Sequence, residues 1–126
     1  MDDLYRDYIL DHYKAPRNFG TLEPNDLEFH DHNPLCGDEL GVQIRVEDGR
    51  IAELRFHGQG CAISQASASI ASEELIGMPL EDVAELGADW VIDLLGIDIS
   101  PTRRKCALLN LKMMRGAVTG DASWPE

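Results

Sequence analysis

Cysteine is scarce in this chain, and its few occurrences form no familiar pattern. Three cysteines occur in 126 residues. The odd number cannot close entirely into intramolecular disulfides, and the absence of any CxxC unit excludes a zinc knuckle or a thioredoxin-type redox pair. Positive charge is also short: 11 Lys and Arg stand against 23 Asp and Glu, a formal net charge of −12. Such a surface disfavours nucleic acid and anionic membrane as main partners, because neither offers the cations an acidic protein would bind. It suits solubility, a cationic metal or a basic protein surface. No apolar run approaches the ~20 residues of a bilayer-spanning helix. The acidic opening Met1-Asp2-Asp3-Leu4-Tyr5-Arg6-Asp7 has neither the basic nor the apolar region of a secretory signal. The expectation is a cytoplasmic protein whose thiols stay reduced. A glycine-rich phosphate loop, a recognisable Ser-His-Asp arrangement and a paired-carboxylate motif are missing as well.

The rest is an ordinary globular composition, 44% hydrophobic and 27% charged, which predicts one domain over residues 1–126 with a frayed tail at 120–126. Residues 2–14 read as a helix: Tyr5, Tyr8, Ile9, His12 and Tyr13 recur at three- and four-residue steps, and Pro16 and Gly20 end the pattern. Three strand segments follow, a weak one over Leu27 to Asn33, an alternating one over Gly41 to Glu47, and one carrying Ile51, Leu54 and Phe56. The Asp48-Gly49 pair between the last two predicts a hairpin. From Cys61 the pattern becomes helical. Residues 61–76 interleave alanines and serines, small enough for close approach to a neighbour such as the sheet. Pro79 opens a short helix, a segment around Trp90 to Leu95 follows, and Ser100-Pro101 supplies an N-cap and N1 for the last helix, where Cys106, Leu109 and Met113 share a face. This order predicts an α+β fold: an N-terminal helix, a three-stranded antiparallel sheet, and C-terminal helices packed on one face.

Each cysteine has an informative setting. Cys36 precedes Gly37-Asp38, a turn able to aim a thiolate and a carboxylate at one point, and that mixture of soft and hard donors suits zinc or iron. Cys61 follows Gly58-Gln59-Gly60 at a helix start, where backbone N–H groups favour thiolate. Cys106 follows Arg103-Arg104-Lys105, the densest basic cluster in the chain, and such cations stabilise thiolate and steer anions. Read singly, each could equally be an inert thiol. Together they lie 25 and 45 positions apart and all at the edge of an element: before a strand, at a helix start, and in a first helical turn. Edges of this kind can converge at one end of an α+β domain, and with Asp38 they would supply the four ligands of a tetrahedral site. His30 and His32 read as surface histidines that could approach the site, His57 as exposed or structural, His12 as a core histidine, and the tyrosines as packing.

Cys36-Gly37-Asp38, Gly60-Cys61-Ala62-Ile63-Ser64-Gln65-Ala66-Ser67-Ala68-Ser69 and Lys105-Cys106-Ala107 together resemble the U-type iron–sulfur cluster assembly scaffolds, the family of IscU, the N-terminal domain of NifU, and SufU. The opening Leu4-Tyr5, Ile9-Leu10-Asp11-His12-Tyr13 and Pro16-Arg17-Asn18 resemble the family's N-terminal segment, so the similarity runs over about residues 2–118. The resemblance implies a metal or cluster site formed by Cys36, Asp38, Cys61 and Cys106, with Asp38 the exchangeable ligand. It implies a scaffold that accepts sulfur from a cysteine desulfurase, on Cys36 or Cys106, and holds iron or a nascent [2Fe–2S] cluster for transfer to apo iron–sulfur proteins. Such a protein is an acceptor and carrier more than a turnover enzyme, and homodimerisation is left open. The alternative it implies is a zinc-dependent sulfurtransferase of the SufU kind. The chain mixes marks of both branches. IscU-type members have histidine before the third cysteine, whereas Lys105 stands here, as in SufU. SufU proteins carry an insertion between the second and third cysteines, whereas the 45-residue spacing here is IscU-like. Asp98-Ile99-Ser100-Pro101-Thr102 replaces the Leu-Pro-Pro-Val-Lys segment that IscU-type scaffolds offer to a chaperone.

Overall fold

In the computed structural model, which describes residues 3–34 and 37–126, the chain runs α1 (Asp3–Lys14), β1 (Leu27–Asn33), β2 (Asp38–Glu47), β3 (Arg50–Gln59), α2 (Ala62–Leu75), α3 (Leu80–Ala84), α4 (Ala88–Leu95) and α5 (Pro101–Thr119). The strands form one antiparallel sheet in the order β1-β2-β3, the α+β arrangement the pattern predicts. Among the described residues no helix is long and apolar enough to cross a membrane.

The β2–β3 hairpin turns through Asp48 and Gly49, at φ 54° and 74°, the left-handed pair that matches the twist of a tight hairpin. A register shift between Arg45 and Val46 explains an irregularity in the sequence. Ile51 and Leu54 are three apart, which breaks a period of two, yet both are buried because a bulge restores the inward phase.

One face of the sheet carries the core. Leu40, Val42, Ile44, Ile51, Leu54 and Phe56 pack against Ala68, Ala71 and Leu75 of α2 and Leu109, Met113 and Met114 of α5. A second cluster joins Ile9 of α1 to α2, α4 and α5. The small residues of α2 serve neighbouring helices as well as the sheet: Ser67 Oγ donates to Ala107 O at 2.7 Å and accepts from Asn110 Nδ2 at 2.8 Å. On the opposite face the segment after α1 wraps around the sheet. Phe56 N donates to Asn18 O and Gly20 N to Phe56 O along the free edge of β3. Leu22 N then donates to Gln43 Oε1 at 2.6 Å.

Several expectations shift. β2 begins at Asp38, three residues before the predicted strand, because Asn33 and Asp38 extend the β1–β2 ladder; Asp38 is a strand residue as well as a turn residue. Cys106 lies in the second turn of α5 rather than the first, since the helix starts at Pro101. Ser100 is the N-cap residue but makes no side-chain cap bond; its hydroxyl meets Thr102 Oγ1 at 3.2 Å. Tyr8 and Tyr13 are exposed, so among the described side chains of the predicted stripe Ile9 and His12 are the buried ones; the Tyr5 side chain lies outside those described. Past Gly120 the tail has no regular secondary structure but is docked: Lys105 Nζ and Lys112 Nζ lie 5.1 and 5.2 Å from the Trp124 ring centroid, and Ala88 N donates to Glu126 O. Lys112 also pairs with Asp31 at 2.6 Å, tying α5 to β1.

His12 pins α1 to α2. It is 2% exposed, with Nδ1 2.7 Å from Ser69 Oγ. That hydroxyl already accepts the Arg17 N–H at 2.8 Å, so its own proton can go to Nδ1. Burial, aided by the Arg17 charge and opposed by Glu73 and Asp11, holds the His12 pKa below its ordinary value. In the unfolded chain the ring titrates near about 6.5; the folded pKa is lower, so the unfolded state takes up the proton first as pH falls. His12 therefore contributes a stability that is intact above about pH 6.5 and declines as pH drops through the folded pKa. Urea unfolding of His12→Asn, which keeps an acceptor near the Nδ1 position, is expected to show a smaller loss of midpoint between pH 7.5 and 5.5 than the wild type; an unchanged loss would exclude His12 as its source.

Candidate metal centre

Three candidate ligand side chains meet at one end of the helix-covered face. Asp38, at the start of β2, is 2% exposed, and Cys106, on α5, is 3% exposed. Cys61, at the N-cap of α2, is half-buried. One ligand atom from each, a carboxylate oxygen and two sulfurs, lies within 4.8 Å of the other two. Neither Cys61 nor Cys106 is in a disulfide. Cys36, the remaining predicted ligand, lies outside the described residues. Next to it in sequence, Gly37 N donates to Asn33 O at 2.9 Å.

The local chemistry leaves these groups available to one another. Cys61 has extended backbone (φ −71°, ψ 169°) and its side chain makes no cap bond, so the thiol is not spent on its own helix. Asp38 acts as the cap across the fold: Oδ1 accepts the Cys61 N–H at 2.9 Å and Oδ2 lies 3.8 Å from Cys61 Sγ. A carboxylate at a helix N-terminus is favoured by the orphan N–H groups and the dipole there. Ser64, three residues into α2, donates from Oγ to Cys61 O at 3.1 Å.

Gly60 and Ser64, which flank Cys61 in the motif, shape the site. A Cβ at Gly60 would lie 2.7 Å from Asp38 Oδ1 and would collide with Ser64 Oγ. Glycine at this position lets the carboxylate approach the helix start. The readable signal was a glycine immediately before the cysteine and a serine three residues after it.

The donor set fits a metal. Two sulfurs with one oxygen match zinc or iron, three ligands leave one tetrahedral position open, and the cradle at Gly60 holds Asp38 in place. His30 and His32 are exposed and stand apart from the group, and so does His57.

Known proteins resemble this chain over most of its length. The model of the NifU-like N-terminal domain matches residues 4–120. The zinc-dependent sulfurtransferase SufU of Bacillus subtilis is 35% identical, the alignment covering 96% of this chain and 93% of that protein. That alignment spans 139 positions, more than the 126 residues here, so the relative carries residues this chain lacks. The iron–sulfur cluster assembly scaffold protein IscU 1 of Archaeoglobus fulgidus is 33% identical over 91% of this chain and 74% of its own. Among solved structures, a candidate cluster assembly scaffold protein for the SUF system from Fervidobacterium islandicum superposes with a TM-score of 0.75 at 26% identity, covering 90% of this chain and 95% of that one.

Because Gly60 controls the approach of Asp38, Gly60→Ala is expected to lower zinc affinity by about 10–100-fold, the range for displacing an orienting partner. The far-ultraviolet circular dichroism should be retained. Chelator competition measures the affinity; wild-type affinity in the folded variant would show that the close approach is unimportant.

Proposed function

The chain belongs to the NifU-like N-terminal domain family, and on that premise we propose that it is a scaffold for iron–sulfur cluster assembly, taking sulfur from a cysteine desulfurase and delivering clusters to apo iron–sulfur proteins. The observation that carries the reading is the meeting of Asp38, Cys61 and Cys106 ligand atoms within 4.8 Å. Cys36, in the same turn as Asp38 by sequence, is the proposed fourth ligand. Iron and sulfide are cargo here, and the ligand set suits cargo. Two protein thiolates grip, while a carboxylate oxygen is a harder ligand than thiolate and exchanges more readily at an iron–sulfur site. Asp38 is further shared with the Cys61 N–H, so its departure from a metal does not leave it without a partner. A reducing compartment such as the cytoplasm keeps the thiols available.

A zinc-dependent sulfurtransferase is the second reading. Two observations favour it: the 35% identity to the Bacillus subtilis SufU and Lys105 immediately before Cys106. Zinc bound to this set would hold the thiolates deprotonated and ordered. The rest of the chemistry would lie with the chain: Asp38 orienting Cys61, and a thiolate accepting sulfur as persulfide.

Anaerobic reconstitution with ferrous iron, cysteine and a desulfurase separates the two. The scaffold reading expects a visible chromophore that is longer-lived in Asp38→Ala, and its loss in Cys36→Ser, Cys61→Ser and Cys106→Ser. Tightly held zinc, no chromophore and strong stimulation of desulfurase turnover would replace it with the sulfurtransferase. Full metal binding and sulfur acceptance in all three serine variants would refute a shared site.

A further inference from the structure

The sheet face turned away from the helices carries a second constellation of metal-binding side chains. In the ladder, His30 of β1 pairs with Gly41 of β2, and Gly41 pairs with His57 of β3. The two histidines are thus next-but-one neighbours with a glycine between them. At this centre-strand position the missing side chain leaves a gap, and both imidazoles border it. A Cβ at Gly41 would lie 2.6 Å from His57 Nε2, 2.9 Å from His57 Cε1 and 3.3 Å from His30 Cδ2. Both rings therefore lean inward over the middle strand.

Ring nitrogens here are uncommitted. His57 Nδ1 is buried without a hydrogen-bond partner. Among the described residues no hydrogen bond or ion pair engages the His30 ring either. A neutral imidazole keeps one lone pair for coordination. An imidazole whose nitrogens no protein group claims is costly in a half-buried place unless something else uses it. The surroundings favour a cation. Glu28 and Glu39 stand on the same outward phase of their strands, and Gln43 Nε2 donates to Glu28 Oε2 at 2.7 Å, which keeps that carboxylate's charge on this face. The one cation in the adjacent row, Arg55, is turned to Leu54 O and Asn18 Oδ1.

We propose that His30 and His57 form a two-imidazole clamp across Gly41 that binds a borderline divalent transition-metal ion of the zinc, nickel and copper class, independently of the thiol site. Imidazole is a preferred donor for these ions. At a metal–nitrogen distance of about 2.0 Å, two nitrogens on one tetrahedral ion stand about 3.3 Å apart. Exposed His30 is the ring freer to swing, whereas His57 is half-buried. Water completes the shell.

Nickel(II) titration of the full chain, with the thiol site first saturated with zinc, tests the clamp. The expected result is one further equivalent bound, with paramagnetic broadening of the His30 and His57 ring protons together. His30→Ala and His57→Ala should each weaken this binding at least about tenfold, the lower end of what even an outer-shell partner is worth. Gly41→Ala, which pushes a methyl into the gap, should do the same without removing a ligand, and His32→Ala should change nothing. Undiminished affinity in either histidine variant, or equal broadening of His32, would overturn the proposal, whether or not Gly41→Ala folds. The ring-specific signal reports this face alone, so failure of the clamp and failure of the thiol site remain distinguishable.

Discussion

The site depends on a hydrogen bond between elements distant in sequence, Asp38 Oδ1 accepting the Cys61 N–H at 2.9 Å. It binds the first residue of β2 to the N-cap residue of α2, whose own side chain makes no cap bond. Burying a carboxylate is costly unless its charge is met by donors; here a helix N-terminus meets it. The same bond brings the carboxylate beside the Cys61 sulfur. Structural capping and ligand placement are one interaction, which is why Gly60 must stay small and why Ser64 braces the Cys61 carbonyl from within the helix.

Around that bond the sheet separates two kinds of surface. Its helix-covered face is apolar and packed by α2 and α5; its other face carries Gln43, Arg45, His30 and His57 beneath or beside the wrapping segment. The helices are joined by polar contacts as well as by apolar packing. Ser67 with Asn110 and Ser69 with His12 are buried pairs with mutual partners, and such pairs specify one docking geometry because an unmet buried donor is costly. Small serines allow the helices close approach, and their hydroxyls then find partners.

Lys105 shows how a branch mark can be read in two ways. In sequence it stands where the IscU branch has a histidine, one residue from Cys106. In the structure its ammonium also lies over Trp124, as does that of Lys112, which pairs with Asp31. One member of the basic cluster beside the thiol, Lys105, is therefore part of the attachment of the C-terminal segment. Charge arguments about Cys106 that treat Lys105 as a solvated cation miss half of its role.

By itself the sequence determined the element order, the Asp48-Gly49 hairpin, the family resemblance, and the choice of Cys36, Asp38, Cys61 and Cys106 as candidate ligands. These rest on local chemistry: periodicity, turn residues and motif flanks are properties of neighbours in the chain. What it could not determine was set by contacts across the fold. The early start of β2 comes from pairing with Asn33, and the burial of both Ile51 and Leu54 comes from a bulge defined against the partner strand. The outward turn of Tyr8 and Tyr13 follows from which side of α1 meets α2, a choice its periodicity leaves nearly even. The docking of the tail follows from the lysines that α5 brings to Trp124. The convergence of three ligand atoms within 4.8 Å belongs to the same class, because residues 38, 61 and 106 acquire a common position only when strand, helix N-terminus and helix face pack together.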